Sequence, residues 1–218
     1  MSLKINDTVP DFTAQTTAGE ISFHNWIGDG YAVLFSHPKD FTPVCTTELG
    51  AVARLTEEFS KRNTKGIGLS VDSVDDHAGW KRDITAATGQ EVTYPLIGDP
   101  DLKIAKTYGM LPADEEGNAQ GRSAADNATV RTVFVIGPDK RIKLNLTYPM
   151  TTGRNFDEIL RVIDSIQLSA SAPLATPEGW RPGDEVVVSP ALSTEDARER
   201  FGEVREVLPY LRFTPQPR

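Results

Sequence analysis

The chain has 218 residues, about one and a half times a typical ~150-residue domain, so one large domain with a small appendage is expected. Hydrophobic residues make up 39% and charged residues 25%, a globular composition that excludes a disordered or fibrous protein. Lys+Arg total 23 against 31 Asp+Glu, a formal charge of −8, and no basic run offers a phosphate stripe, which argues against nucleic acid as a partner.

The longest apolar runs, Ala32 to Phe35 and Val133 to Ile136, fall far short of the roughly 18 residues a membrane span needs. No apolar stretch follows a basic start at Met1 to Asp7, so a cytoplasmic protein is expected. Asn127-Ala128-Thr129 and Asn145-Leu146-Thr147 match the glycosylation pattern and are read as chance. The single cysteine, Cys45, leaves no intramolecular disulfide, and three histidines, His24, His37 and His77, are too few and too scattered along the chain for a metal centre. No metal or cofactor is expected.

In chain order, Tyr31 to Ser36 reads as a buried strand, and Thr46 to Asn63 as a helix with Leu49, Val52, Leu55 and Phe59 on one stripe. Gly66 to Asp72 is a second strand, Ser73 to Thr88 a helix with His77, Trp80 and Ile84 on one face, and Tyr94 to Gly98 a third strand. Pro100 opens a helix to Tyr108. Pro112 to Thr129 is polar and aperiodic and reads as a surface insertion. Val130 to Ile136 and Arg141 to Tyr148 flank the turn signal Gly137-Pro138-Asp139-Lys140 and form a hairpin. Asn155, with Glu158 three residues on, starts a helix carrying Phe156, Ile159, Leu160, Ile163 and Ile166.

The texture changes near residue 170, since seven of the 15 prolines fall between Ala172 and Arg218, beginning with a linker from Pro173 to Gly183. Val186 to Val188 and Tyr210 to Phe213 look like short strands, and Ser193 with Asp196 like a helix start. The expected organisation is a main domain over 1–168 and a small C-terminal domain over 169–218. The small domain is too short to bury much by itself.

The chemistry concentrates between Ser36 and Gly50. If Thr42 caps a helix and Pro43 takes its first position, Cys45 falls in the first turn. Unpaired N–H groups and the positive end of the helix dipole favour a thiolate there. A lone cysteine is also a common core residue, so packing and chemistry both stay open on these grounds.

Pro38, Thr42 and Cys45 reproduce the Pro-x-x-x-Thr-x-x-Cys motif, and the chain around it resembles the peroxiredoxins, specifically their one-cysteine subgroup. The likeness includes Thr8 to Phe12, Val71 to His77 and Tyr148 to Glu158, and reaches Tyr210 to Pro215 in the tail. It implies an α/β fold, a thioredoxin-like mixed sheet flanked by helices, with a small C-terminal α+β extension. It also implies thiol-dependent reduction of hydrogen peroxide and of alkyl or lipid hydroperoxides. By the same resemblance Cys45 attacks the peroxide, Thr42 and Arg131 serve the departing oxygen, and Pro38 shields the sulfur. His37 is a second participant near the sulfur, and Glu48 and Arg154 brace Arg131. An external thiol reductant of glutathione or thioredoxin type and a homodimer, or a higher oligomer, are the implied partners. Some members of the subgroup add a phospholipase site of His, Ser and Asp; here His24 and Asp139 match, but Gly30 stands at the serine position.

Two other readings compete. A thioredoxin-fold chaperone or binding module would carry an inert cysteine. A cysteine hydrolase would use Cys45 and His37, but no third group to orient the base is evident from the sequence.

Overall fold

The computed structural model describes residues 3–112 and 128–217, so most of the polar Pro112 to Thr129 stretch, with Asn127 of the first glycosylation match, lies outside the described residues. The chain divides into two compact units, Met1–Phe156 and Asp157–Arg218.

The first unit is organised by β3 (Tyr31–Ser36), whose residues from Ala32 to Ser36 are all buried. A strand buried on both faces belongs at the middle of a covered sheet. It pairs in parallel with β4 (Thr64–Ser70) and antiparallel with β6 (Arg131–Ile136), which pairs in turn with β7 (Ile142–Tyr148). On the other side, β4 pairs in parallel with β5 (Leu96–Gly98). The pleat sends Ala32 and Leu34 into one apolar cluster with Phe23, Ile27, Ile104 and Ala105. On the opposite face the ring of Phe35 meets those of Tyr94 and Phe156 edge-on, at 5.9 and 5.4 Å. The expected mixed sheet flanked by helices is present.

An N-terminal hairpin that the periodicity did not reveal completes the sheet: β1 (Thr13–Thr16) and β2 (Gly19–Ser22), followed by the short helix α1 (Phe23–Ile27). The full strand order is β2-β1-β5-β4-β3-β6-β7. The hairpin is hard to read because its inward residues are Ala14 and Thr16, small or polar, while Gly19 supplies the positive φ of +92° at its turn.

The run from Thr46 to Asn63 is two helices, α2 (Pro43–Arg54) and α3 (Thr56–Lys61), separated at Leu55. Helix α4 (Val74–Thr88) opens on a capping box, with Ser73 and Asp76 exchanging bonds. At Gly50 a Cβ would lie 2.6 Å from the Thr88 side chain, so a glycine permits the close approach of α2 to α4. The helix expected from Pro100 starts later, as α5 (Lys103–Thr107). Asp99 accepts the amides of Ile104 and Ala105, and buried Leu102 turns into the left-handed region at φ +59°, which delays the start.

The second unit contains most of α6 (Phe156–Ser171) and a four-stranded antiparallel sheet. Its strands are β8 (Leu174–Ala175), β9 (Val186–Val188), β10 (Arg205–Leu208) and β11 (Leu211–Thr214), in the order β10-β11-β9-β8. Helix α7 (Thr194–Phe201) is capped by Ser193 accepting from the Asp196 amide. The stretch read as a linker, Pro173 to Gly183, contributes β8 and the buried Trp180, which joins Leu174, Val186, Val188 and Ala197 in a core. Prolines and glycines punctuate this segment without leaving it unstructured.

Candidate active site

Cys45 is the third residue of α2, after Thr42 at the cap position and Pro43 at the first helical one, and its side chain is fully buried. The chain reaches this helix through a tight turn in which Phe41 adopts φ +55°. Thr42 has the extended backbone of a cap, but its hydroxyl donates to the Lys39 carbonyl at 2.8 Å and leaves the first-turn amides unpaired by it. The expectation of Thr42 as the residue ahead of the helix holds, and that of a side-chain cap does not. Pro38 is buried in the same loop.

Arg131 opens β6, opposite Tyr148 in β7, and is buried. Its Nη1 lies 3.4 Å from the Cys45 Sγ and 2.5 Å from Glu48 Oε2, and its Nε donates to the Met150 carbonyl at 2.8 Å. Two elements far apart in sequence thus bring a fixed cation to the sulfur. The anionic partner a buried Arg131 requires is Glu48, with the sulfur as a further acceptor.

Glu48 sits one turn beyond Cys45 on α2. Burial pushes its carboxyl up, but the hydrogen bonds and charge of Arg154, with Arg131 behind, outweigh this and hold it below the usual range. Arg154 also donates from Nη1 to the carbonyls of Ser36 and Thr132, and its guanidinium lies over the rings of Phe35 and Phe156 at 5.5 and 5.3 Å. Cys45, Glu48, Arg131 and Arg154 therefore form one buried network.

His37 follows β3 directly, and the fold gives it neighbours that sequence did not suggest. Its Nε2 lies 2.7 Å from Asp40 Oδ1, while Asp40 Oδ2 lies 2.6 Å from the Nδ1 of His77 on α4. The expectation that the histidines are too scattered to cluster is corrected: His37, Asp40 and His77 converge and are buried. Ligand atoms on one zinc ion stand about 3.3 Å apart, given metal–ligand distances near 2.0–2.1 Å. The 2.6 and 2.7 Å separations fit shared protons instead. Asp40 is also the orienting third group that the hydrolase reading lacked.

The His37 ring stands 5.3 Å from Trp80, whose Nε1 donates to Thr46 beside Cys45, and the exposed Phe41 ring is 6.2 Å from Trp80 on its other contact. Asp40, His77 and Trp80 are the members sequence reasoning missed. The period-3.6 stripe of α4 marked His77 and Trp80 as core residues and gave no sign of their polar partners.

His24 and Asp139, the two residues matched to a phospholipase site, have other engagements. His24 Nε2 contacts the Val9 carbonyl at 3.0 Å, and Asp139 pairs with Lys143 at 2.7 Å. A Cβ on Gly30 would stand 2.7 Å from the Asn63 carbonyl oxygen.

Comparisons with known proteins agree with this geometry. The AhpC/TSA family pattern matches residues 5–145, and the C-terminal domain of 1-Cys peroxiredoxin matches residues 165–203. The chain is 50% identical to rat peroxiredoxin-6 and 51% to the chicken protein, each alignment covering 99% of this chain and 98% of the relative. Among solved structures, a cysteine-to-serine variant of peroxiredoxin 6 from Arenicola marina superposes with a TM-score of 0.91 at 45% identity, covering 100% of both chains. A yeast mitochondrial 1-Cys peroxiredoxin superposes at 0.87 with 47% identity, covering 98% of this chain and 99% of that one. With a thioredoxin-like sheet, one cysteine and a guanidinium at its sulfur, the chain belongs to the AhpC/TSA family as a 1-Cys peroxiredoxin, a thiol-dependent peroxidase.

Proposed function

We propose that the chain reduces hydrogen peroxide and alkyl or lipid hydroperoxides at Cys45 and depends on an external thiol for turnover. The observation that carries this reading is the Arg131 Nη1 held 3.4 Å from the Cys45 Sγ by Glu48 and the Met150 carbonyl. The thiolate attacks the terminal peroxide oxygen; the S–O bond forms as the O–O bond breaks, and the leaving oxygen departs with the electron pair and takes a proton from water. Arg131 stabilises the thiolate and the charge that develops on the leaving oxygen, and the Thr42 hydroxyl turns from Lys39 to the peroxide. Pro38, which has no N–H, keeps water from the sulfur, His37 serves the reacting pair, and Glu48 and Arg154 hold Arg131 in place.

With one cysteine, the sulfenic acid formed at Cys45 condenses with an outside thiol, releasing water, and a second thiol frees Cys45 from the mixed disulfide. The yeast relative, described as resolved via glutathione/thioredoxin systems, supports this choice of reductant. A single unpaired cysteine suits a reducing compartment, and we place the protein in the cytoplasm. Among the described residues no helix is long and apolar enough to cross a membrane.

We also propose a homodimer. β7 is an edge strand, and the N-terminal segment bonds its outer side at Ile142 through Asn6 and Asp7. Beyond it the N-terminal segment meets only the Asn145 side chain, which donates to the Leu3 carbonyl among the described residues, so an antiparallel copy could pair along the strand toward Tyr148, and Lys143, which could repel one, is engaged with Asp139. The small domain 169–218 adds an exposed apolar edge, Val207, Leu208 and Tyr210, for the partner to cover.

Replacing Cys45 by Ser tests the peroxidase reading: hydroperoxide consumption should vanish, and turnover that survives would defeat it. Mass measurement at micromolar concentration tests the dimer, which a strictly monomeric species would exclude.

A further inference from the structure

The His37–Asp40–His77 cluster poses a proton-counting problem with a definite answer. His77 Nε2 faces the Ile97 carbonyl at 3.0 Å, and a carbonyl only accepts, so Nε2 carries a proton. His77 Nδ1 faces Asp40 Oδ2 at 2.6 Å, and one more proton must lie between them. His37 Nε2 faces the other Asp40 oxygen at 2.7 Å, while His37 Nδ1 is buried with no hydrogen-bond partner among the described residues.

The charged and titratable groups around His77 decide where the extra proton rests. They are Asp40 and His37 from the loop after β3, and Asp72 from the loop after β4, which accepts the Asp40 amide and the Ser70 hydroxyl. Burial pushes His77 down, yet the hydrogen bond and charge of Asp40, with help from the Ile97 carbonyl and Asp72, bring it above the ordinary histidine value. Asp40, opposed by burial, is held down by its two histidines, and burial lowers His37 despite Asp40. All three directions describe a cationic His77, an ionised Asp40 and a neutral His37.

We propose that His77 and Asp40 are positioning residues for His37: their buried ion pair fixes His37 with its proton on Nε2, leaving Nδ1 as a bare acceptor for the O–H of the hydroperoxide and of the sulfenic acid it yields. The inference rests on the reading above that His37 serves Cys45. A neutral histidine free to choose would place its proton on either nitrogen. Here the Asp40 carboxylate makes the choice, and it does so because His77 supplies the compensating positive charge that a buried carboxylate needs.

The test uses the full-length reduced protein with isotope-labelled histidine ring nitrogens. Proton–nitrogen correlation spectra are expected to show His77 still doubly protonated above pH ~6.5, the ordinary histidine value, and His37 with one proton, on Nε2. A His77 that loses a proton near pH ~6.5, or a His37 proton on Nδ1, overturns the inference. In Asp40→Asn the amide can donate to His37 Nε2, so the His37 proton is expected to move to Nδ1. The rate of reduced Cys45 with hydrogen peroxide should then fall about 2- to 10-fold, as for loss of a hydrogen bond between neutral groups. A wild-type rate in Asp40→Asn beside a slow His37→Asn overturns this inference alone. Wild-type rates in both variants remove His37 from the reaction, and with it the reading on which the inference rests.

Discussion

Arg154 holds Glu48 through its backbone N–H, its Nε and its Nη2, at 2.7, 2.9 and 2.8 Å. Both carboxylate oxygens are used, and the same Oε2 that takes the Nη2 bond also accepts from Arg131. Arg154 thereby fixes the carboxylate that fixes the cation at the sulfur, although no bond between Arg154 and Cys45 is needed. Arg154 pairs with Glu48 bidentately, a charge-assisted geometry stronger than a surface ion pair, whose contribution is about 0–1 kcal/mol, and Arg131 adds a single bond from Nη1.

Replacing Arg131 by Met should slow the peroxide step by about 100-fold, the loss typical of one oriented donor at a developing anion. Glu48 would remain paired with Arg154, so the fold should survive. Stopped-flow kinetics on the reduced protein measures the step, and an unchanged rate would reduce Arg131 to a structural ion-pair partner.

Glu48→Gln should destabilise the protein by about 3–5 kcal/mol at neutral pH, because two buried arginines lose their anion. The Glu48 carboxyl is depressed in the folded state, so its stabilisation is fully present above the unfolded value of about 4.3 and is lost as pH falls through the folded one. The gap between wild type and variant in urea unfolding should therefore be constant from neutral pH down to about pH 5 and shrink below it. A gap that stays constant to pH ~3 would show that Glu48 is not the ionised partner.

One equivalent of peroxide should leave a sulfenic acid at Cys45 that dimedone traps, and excess peroxide should drive it to sulfinic and sulfonic forms. Glutathione should form a mixed disulfide. Intact mass after titration distinguishes these species. A predominant disulfide-linked dimer with little dimedone adduct would mean that two subunits resolve each other, against the expectation from a cysteine fully buried at its own helix start.

Gly30→Ser should not create a phospholipase and should cost about 1–3 kcal/mol, the usual range for overpacking. The new Cβ would press on the Asn63 carbonyl oxygen at 2.7 Å, backbone that must shift, while His24 and Asp139 keep their contacts to Val9 and Lys143. Thermal unfolding and fatty-acid release are the measurements. Calcium-independent hydrolysis by this variant would show that the serine alone was missing.

Local signals carried much of the fold. Tyr31 to Ser36 was readable as a strand because continuous burial leaves a continuous apolar run, and Ser193 with Asp196 announced α7 because such a cap is complete within four residues. The hairpin β1–β2 escaped because Ala14 and Thr16 give no strong alternation, and the Pro173 to Gly183 stretch was misread because its order comes from Trp180 packing against residues further along.

The same division runs through the site. By itself the sequence determined Cys45 at the start of a helix, since Thr42 and Pro43 set the first turn locally, and the motif with Pro38 carried the family. Only the tertiary structure decided which charges meet. Arg131 reaches Glu48 from 83 residues away and Asp40 meets His77 across 37, pairings that depend on β6 lying beside β3 and on α4 packing near the loop that follows it. A buried charge must find its partner wherever the fold brings one, and sequence spacing does not encode that distance.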